Sequence, residues 1–370
     1  MRVAMIGQRG IPAAYGGVER HVEEVARRLC ARGHQVRVYG RAGYCAQEAP
    51  WPGVRLTRLR NWGGYPGWAT AVHCVEASLC CLADWPDLVH FHATGPAACA
   101  WITRLGAIPS VVTFHGRDWK RRRWGPVARA VLRASEALAV SAARAVTAVS
   151  MPLARSLERR WSIRVRCIPN GVNLGPEPSP APIAPPLTVL YLGRLVEDKG
   201  VHHLVRAFRR LDTEVRLWIA GAGDGRDPYP ARLRALARGD PRIEFLGPLD
   251  PAERDRRLAA CSLFVLPSEL EGMSLAMVEA MAAGRAVLAS DIEENRWLLD
   301  GGGGSPPGAV LFRSADTGDL HRCLRELLSR PERLRQAGAS ARQGAWRRFD
   351  WERSVDALEE VYAQAREVSA

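Results

Sequence analysis

Six of the eleven residues at 176–186 are proline. Proline lacks a backbone N–H and fixes φ at about −65°, so this stretch forms neither a helix nor an inner strand and reads as a semi-rigid linker. It divides a chain of 370 residues, a length that suits two cores better than one. On both sides short β-branched runs alternate with segments of helical period, the pattern of a parallel sheet with crossover helices. Before the linker the predicted strands are 3–6, 35–39, 54–59, 88–92, 110–115 and 145–149. After it they are 188–192, 215–220, 242–246, 263–267, 286–290 and 309–312. A helix is predicted over 18–31, where Val18, Val22, Val25 and Leu29 recur at helical spacing before Gly33. The expectation is two doubly wound domains, 1–173 and 188–349, joined by a linker at 174–187. A last helical pattern, 352–366 within 350–370, is expected to cross back onto the first domain. Ligands of such sheets lie at the carboxyl ends of the strands, here in a crevice between the domains.

Charge separates the two halves. Residues 1–180 carry 25 Lys and Arg against 11 Asp and Glu, and the rest carry 27 against 28. The excess of positive charge therefore belongs to the first half, which points to an anionic partner for that half. No stretch approaches the roughly 20 apolar residues that span a bilayer. The nine cysteines are scattered, without a CxxC pair, which fits a reducing compartment and neither a zinc site nor a disulfide framework. The N-terminus has no signal-peptide pattern, so a cytoplasmic protein is expected.

Three clusters follow predicted strands. EGMSLAMVE at 271–279 reads as the opening of a helix, with Glu271 and Glu279 about 80° apart around it and roughly 12 Å apart along it. That spacing suits gripping two parts of one extended ligand, and the amides of Gly272, Met273 and Ser274 would face an anion. LGRLVEDKG at 192–200 turns sharply at Gly193 and sends Arg194 and Lys199 toward the crevice, a planar fork and a compact ammonium for phosphate oxygens. Lys199 is one of only two lysines in the chain. GQRGIPAAYGGVE at 7–19 is glycine-rich but is neither GxGxxG nor a P-loop, so it reads as a loop presenting Gly16 and Gly17 to an anion or a sugar.

Strand–GR–x(4)–KG, then E–x(7)–E, together with the N-terminal GGVERH loop and helix, resembles glycosyltransferase family 4 over nearly the whole chain. TFHGRDWKR at 113–121 and IGQRGIP at 6–12 are further similar to its rhamnosyltransferase-like branch of bacterial surface polysaccharide synthesis. The resemblance implies an α/β GT-B fold, two doubly wound Rossmann-like domains facing each other across a cleft. It also implies transfer of a sugar from a nucleotide-sugar with retention at the anomeric carbon and no metal or other cofactor. By the same resemblance Arg194 and Lys199 would hold the donor diphosphate, Glu279 the ribose hydroxyls, and Glu271 the donor sugar. His115 would sit by the transferred sugar, and Gly16 and Gly17 by phosphate or acceptor. Gly193, Gly221, Gly223, Gly247 and Leu249 would line the donor pocket. NGVN at 170–173 departs from a family turn that more often ends in Asp. The chain has no Asp-x-Asp, so cationic side chains must do what a bridging metal would do for the diphosphate.

Trp119, Lys120, Arg121, Arg122, Arg123 and Trp124 form four cations between two indoles, the composition of an interfacial anchor. The expectation is a peripheral enzyme on the inner face of the cell membrane, moving a hexosyl or deoxyhexosyl group, rhamnose first, to a lipid-linked or glycan acceptor. Nucleic acid is not an expected partner. The rival readings are a glycosyltransferase acting on a small natural product, a nucleotide-sugar epimerase or hydrolase, and a non-catalytic scaffold.

Overall fold

The computed structural model describes residues 1–13, 16–48, 51–62, 66–173, 186–225, 227–300 and 310–367. The proline-rich stretch at 174–185 therefore lies outside the described residues, as does Ala309 of the last predicted strand. The chain divides into two units, Met1–Asn170 together with the helix that starts at Trp351, and Gly171–Asp350.

In the first unit the order is β1 (Arg2–Ile6), α1 (Gly17–Ala31), β2 (Gln35–Arg41), β3 (Val54–Leu59), α2 (Pro66–Asp84) and β4 (Leu88–His92). It continues through α3 (Thr94–Ala97), α4 (Ala100–Leu105), β5 (Ser110–Phe114), α5 (Pro126–Ala142), β6 (Ala145–Ala148), α6 (Met151–Trp161) and β7 (Arg166–Cys167). In the second unit it is β8 (Thr188–Leu192), α7 (Val201–Phe208), β9 (Arg216–Ala220), α8 (Tyr229–Ala237), β10 (Ile243–Gly247), α9 (Pro251–Ala260) and β11 (Leu263–Leu266). Then come α10 (Leu275–Ala282), β12 (Ala286–Ser290), α11 (Glu293–Asp300), β13 (Val310–Phe312), α12 (Thr317–Leu328) and α13 (Pro331–Arg348), before α14 (Trp351–Glu367) closes the chain on the first unit.

Both sheets are wholly parallel, with orders β3-β2-β1-β4-β5-β6-β7 and β10-β9-β8-β11-β12-β13. β4, β5, β11 and β12 are buried along their whole length, as a sheet covered on both faces requires, and β11 (LFVL) is apolar throughout. In each order the chain reverses direction once, between β1 and β4 and between β8 and β11. At such a reversal the loops leaving the two neighbouring strands diverge and open a hollow above their carboxyl ends. α14 is tied to α1 by charge: Arg28 Nε donates to Glu352 at 2.8 Å and Arg32 pairs with both Glu352 and Asp356. β7, two residues long, is the strand that sequence periodicity misses, being shorter than any readable pattern.

Candidate functional site

In the second unit the reversal between β8 and β11 places two of the sequence clusters side by side. Gly200 has φ +61°, and a Cβ there would lie 2.1 Å from the carbonyl oxygen of Pro267, so only glycine lets the β8 loop pass this close to the end of β11. The Glu269 amide donates to the Asp198 carbonyl at 2.9 Å and joins the two loops backbone to backbone. Lys199 and Glu271, 72 positions apart in sequence, are thereby brought into contact: Nζ donates to Oε1 at 2.5 Å. The side chains are 18% and 5% exposed, so the carboxylate is buried and the ammonium reaches solvent.

The adjoining floor has almost no side chains. Gly193, directly after β8, donates its N–H to the Ala220 carbonyl at 3.0 Å, and Gly221 donates to the Gly247 carbonyl at 2.7 Å. Gly221 has φ +135°, and a Cβ there would lie 1.9 Å from the Gly193 oxygen. Gly223 packs against Pro230, and Leu249 is half-buried just beyond β10. Arg194 pairs with Asp224 at 3.0 Å, while its carbonyl accepts from the Tyr191 hydroxyl at 2.8 Å. Asp224 thus supplies a counter-charge for it.

One expectation is corrected. Glu271 is not on a helix: α10 begins at Leu275, with Ser274 as its cap, the Ser274 Oγ accepting from the Met277 N–H at 3.3 Å. Serine captures an orphan first-turn amide, so the helix starts where that oxygen sits and not at the acidic residue upstream. Gly272 and Met273 belong to the preceding loop, and the separation of two helical carboxylates does not apply. Only Glu279 is helical, with Oε1 3.5 Å from the Arg254 guanidinium.

The first unit gathers histidines from three elements. His90 and His92 alternate on β4 and so face the same side, His21 comes from α1, and His115 follows β5. Ring centroids are 4.8 Å apart for His21 and His115, 5.3 Å for His21 and His92, and 4.0 Å for His90 and His92. His21 Nδ1 donates to the Asn170 Oδ1 at 2.7 Å; an amide oxygen cannot donate, so the neutral ring keeps its lone pair on Nε2. His90 is held by the Tyr362 hydroxyl at 2.7 Å and Thr113 Oγ1 at 2.6 Å, and His92 Nδ1 lies 3.3 Å from His115 Nε2. His21 Nε2 and His92 Nε2 are buried with no hydrogen-bond partner. Burial brings His21 down to about 4 and pushes His90, His92 and His115 well below the ordinary histidine value, so the cluster is uncharged at neutral pH. His115 is legible in the sequence; the HFH alternation on a buried strand is the signal that marks His90 and His92, and sequence reasoning missed it. Gly16 caps α1 in extended backbone with φ 174°, and Gly17 is its first residue. Glu19 and Glu23 reach back to accept from the amides of Arg9 at 3.3 Å and Ala13 at 2.5 Å.

Residues 15–175 match the family model described as Glycosyltransferase Family 4, and residues 186–330 match that of Glycosyl transferases group 1. The phosphatidyl-myo-inositol mannosyltransferase of Mycobacterium leprae is 32% identical, covering 98% of this chain and 96% of its own. The chain belongs to glycosyltransferase family 4. Sucrose-phosphate synthase from Thermosynechococcus elongatus has the same fold, with a TM-score of 0.84 at 24% identity over 98% of both chains. So does Anabaena HepE in complex with UDP and glucose, with a TM-score of 0.79 at 19% identity, covering 98% of this chain and 99% of that one. The two parallel Rossmann-like sheets of this glycosyltransferase are the GT-B architecture that its sequence implied.

The tryptophan–arginine run of the glycosyltransferase is placed differently from an inserting anchor. Trp119 is half-buried: its indole N–H donates to Glu136 at 3.0 Å, and the Arg133 and Arg160 guanidiniums lie 4.6 and 5.0 Å from its ring. Trp124 is half-buried as well, Arg121 pairs with Asp118 at 3.0 Å, and Lys120, Arg122 and Arg123 are exposed. No helix among the described residues is long and apolar enough to cross a membrane. Two groups among the described residues have the composition of metal ligands, His21–His92–His115 and His202–His203–Glu269. Neither includes Lys199, Arg194 or Glu271.

Proposed function

We propose that this glycosyltransferase moves a hexosyl or deoxyhexosyl group from a nucleoside diphosphate sugar to a hydroxyl of a lipid-linked or glycan acceptor, with retention and without a metal. The observation that carries the reading is the Lys199–Glu271 contact at the β8/β11 reversal, beside a glycine floor and Arg194. Cleaving the anomeric bond builds negative charge on the departing diphosphate and positive charge on the sugar ring. In this reading the diphosphate lies over Gly193 and Gly221, where no side chain obstructs it. The Lys199 ammonium, beside Glu271, is the compact cation that meets the phosphate oxygens. Arg194 adds a second cation. Glu271, held by Lys199, turns its other oxygen to the donor sugar, and Glu279 takes the ribose. Gly247 and Leu249 border the base, and the loop amides of Gly272, Met273 and Ser274 contact sugar or phosphate. The leaving phosphate oxygen accepts the acceptor's proton on the face it departs from, which gives retention. His115, neutral in its buried cluster, serves as a hydrogen-bonding partner for a sugar or acceptor hydroxyl, and Gly16 and Gly17 border the acceptor.

The mannosyltransferase relative supports a hexosyl donor and a lipid acceptor, and HepE, crystallised with UDP and glucose, supports a uridine diphosphate leaving group. Rhamnose stays in the panel on the strength of the two N-terminal motifs. The acceptor is placed at the anionic inner face of the cell membrane, with the enzyme peripheral to it from the cytoplasm.

The test is a panel of nucleotide-sugars read by thermal shift, followed by transfer assays with NMR of the product anomeric centre. A stabilising nucleotide-sugar and an anomeric configuration equal to that of the donor support the reading. Inversion, or turnover that needs added Mg²⁺, overturns the mechanism, and donor consumption without any acceptor restores the hydrolase or epimerase.

A further inference from the structure

α7 turns Val201, Leu204, Val205 and Phe208 into the core of the second unit, which leaves positions 202 and 203 at the rim of its first turn. Both are histidine, and their rings lie side by side with centroids 4.1 Å apart and a tilt of 40°. Glu269 reaches them from the loop after β11, whose approach is fixed where the Glu269 amide donates to the Asp198 carbonyl at 2.9 Å. One ligand atom from each of His202, His203 and Glu269 lies within 4.8 Å of the other two.

The spacing inside this group is that of co-ligands more than of hydrogen-bonded partners. His203 Nε2 and Glu269 Oε1 are 3.5 Å apart. A direct N–H···O bond draws its atoms to about 2.7–3.2 Å. Two ligands held about 2.0–2.2 Å from a zinc ion, across a tetrahedral angle, stand roughly 3.3–3.5 Å from each other.

Both rings are also oriented from behind. His203 Nδ1 lies 2.9 Å from Thr317 Oγ1 at the start of α12. His202 Nδ1 lies 2.8 Å from the Tyr229 hydroxyl of α8, which also accepts from the His202 amide at 3.1 Å. Metal-bound imidazoles are held in this way by a second group on the ring. With Nδ1–H donated to Thr317, His203 keeps its lone pair on Nε2, the nitrogen beside Glu269. The side chains of His203 and Glu269 are 13% and 14% exposed, so an ion reaches them from solvent and is then largely enclosed.

We propose that His202, His203 and Glu269 bind one divalent transition-metal ion of the zinc class, with a water as fourth ligand. Two imidazoles and a carboxylate suit zinc, whereas magnesium and calcium take oxygen ligands. The ion is a staple and not a reactant, since Lys199, Arg194 and Glu271 stand outside the group. It ties the first turn of α7, which follows Lys199 and Gly200, to the loop that carries Glu271 two residues beyond Glu269. These are the segments whose contact makes the Lys199–Glu271 pair. Occupancy therefore stabilises the second unit without entering the transfer step, and the inference needs neither the donor nor the acceptor of the proposed function.

The full chain, stripped with EDTA and dialysed, is titrated with Zn²⁺ alone by calorimetry and by thermal unfolding. One Zn²⁺ per chain should bind and raise the unfolding temperature by about 5 °C at roughly a hundredfold Kd, while Mg²⁺ at the same concentration does not. Co²⁺ in place of zinc should give tetrahedral visible bands without the thiolate charge transfer that a site built on any of the nine cysteines would add. His203→Asn and Glu269→Gln should each weaken Zn²⁺ binding about 100-fold or more, and Thr317→Val, which alters only the group behind the ring, about 10- to 100-fold. Should His203→Asn fail to fold, Thr317→Val and the Co²⁺ spectrum decide. A wild type without a zinc shift, binding that all three variants leave unchanged, or a cobalt spectrum with thiolate bands overturns the inference. The two readings fail separately: a chain that binds zinc but no nucleotide-sugar removes the proposed function alone, and transfer by a chain that ignores zinc removes this site alone.

Discussion

Replacing Lys199 by methionine tests the centre of the site with a magnitude that the geometry supplies. The change keeps the aliphatic stem and removes the ammonium that lies 2.5 Å from Glu271 Oε1. Removing one partner of a fully buried pair costs about 3–5 kcal/mol, because the other charge stays buried without its counterion. Here the carboxylate is 5% exposed but the ammonium is 18% exposed, so the cost should fall lower, about 2–3 kcal/mol at neutral pH. Urea unfolding at neutral pH measures it. The double variant with Glu271→Gln should recover about 1–2 kcal/mol, since no charge is stranded. Activity should part company with stability. Both variants should lose about 100- to 1000-fold in kcat, the scale of deleting one preorganised group facing a developing charge. Lys199→Met matching wild type in unfolding and in turnover, or a double variant that recovers activity along with stability, would refute the reasoning.

Acid should loosen the first unit through its histidines. His21 falls from 6.5 to about 4 on folding, so stability is level above 6.5 and drops by roughly 3 kcal/mol as the pH descends to about 4; a flat urea midpoint over that range would refute this. Gly221→Ala should cost about 2–4 kcal/mol and abolish donor binding, since φ +135° and the Gly193 oxygen 1.9 Å from the new methyl leave backbone, not a flexible side chain, to move; unchanged thermal stability would contradict it. His115→Gln should retain the fold and donor affinity but lower turnover at every pH near neutral, and a bell-shaped dependence centred on an ordinary histidine value would argue instead for a charged His115. Transfer in excess chelator should continue at full rate, and its loss would assign a role to one of the two histidine groups.

Several of these residues are legible in the sequence, and others are not. Arg194 and Lys199 are recognisable because a glycine turn after an apolar run is local information. Glu271 stands out but reads as helical, because the composition of 271–279 does not reveal which residue captures the first free amide; Ser274 does so three residues later. Trp119 has the composition of an anchor, yet Glu136 on α5 draws its indole inward. Val127, Val131 and Leu138 on α5 are exposed although they recur at the helical period of a buried face, and periodicity alone does not say on which side the sheet lies.

What the amino-acid order determined by itself is the alternation of strand and helix, its interruption by proline and the cations that follow β8, since each depends on neighbours a few residues apart. What the tertiary structure decided is which strands stand together. Lys199 meets Glu271 because β11 pairs with β8 although three crossover connections separate them, and His21 meets His115 because α1 and the end of β5 share one side of a sheet. Parallel strands reach their partners through helices, so adjacency follows the packing of whole elements and not the distance along the chain.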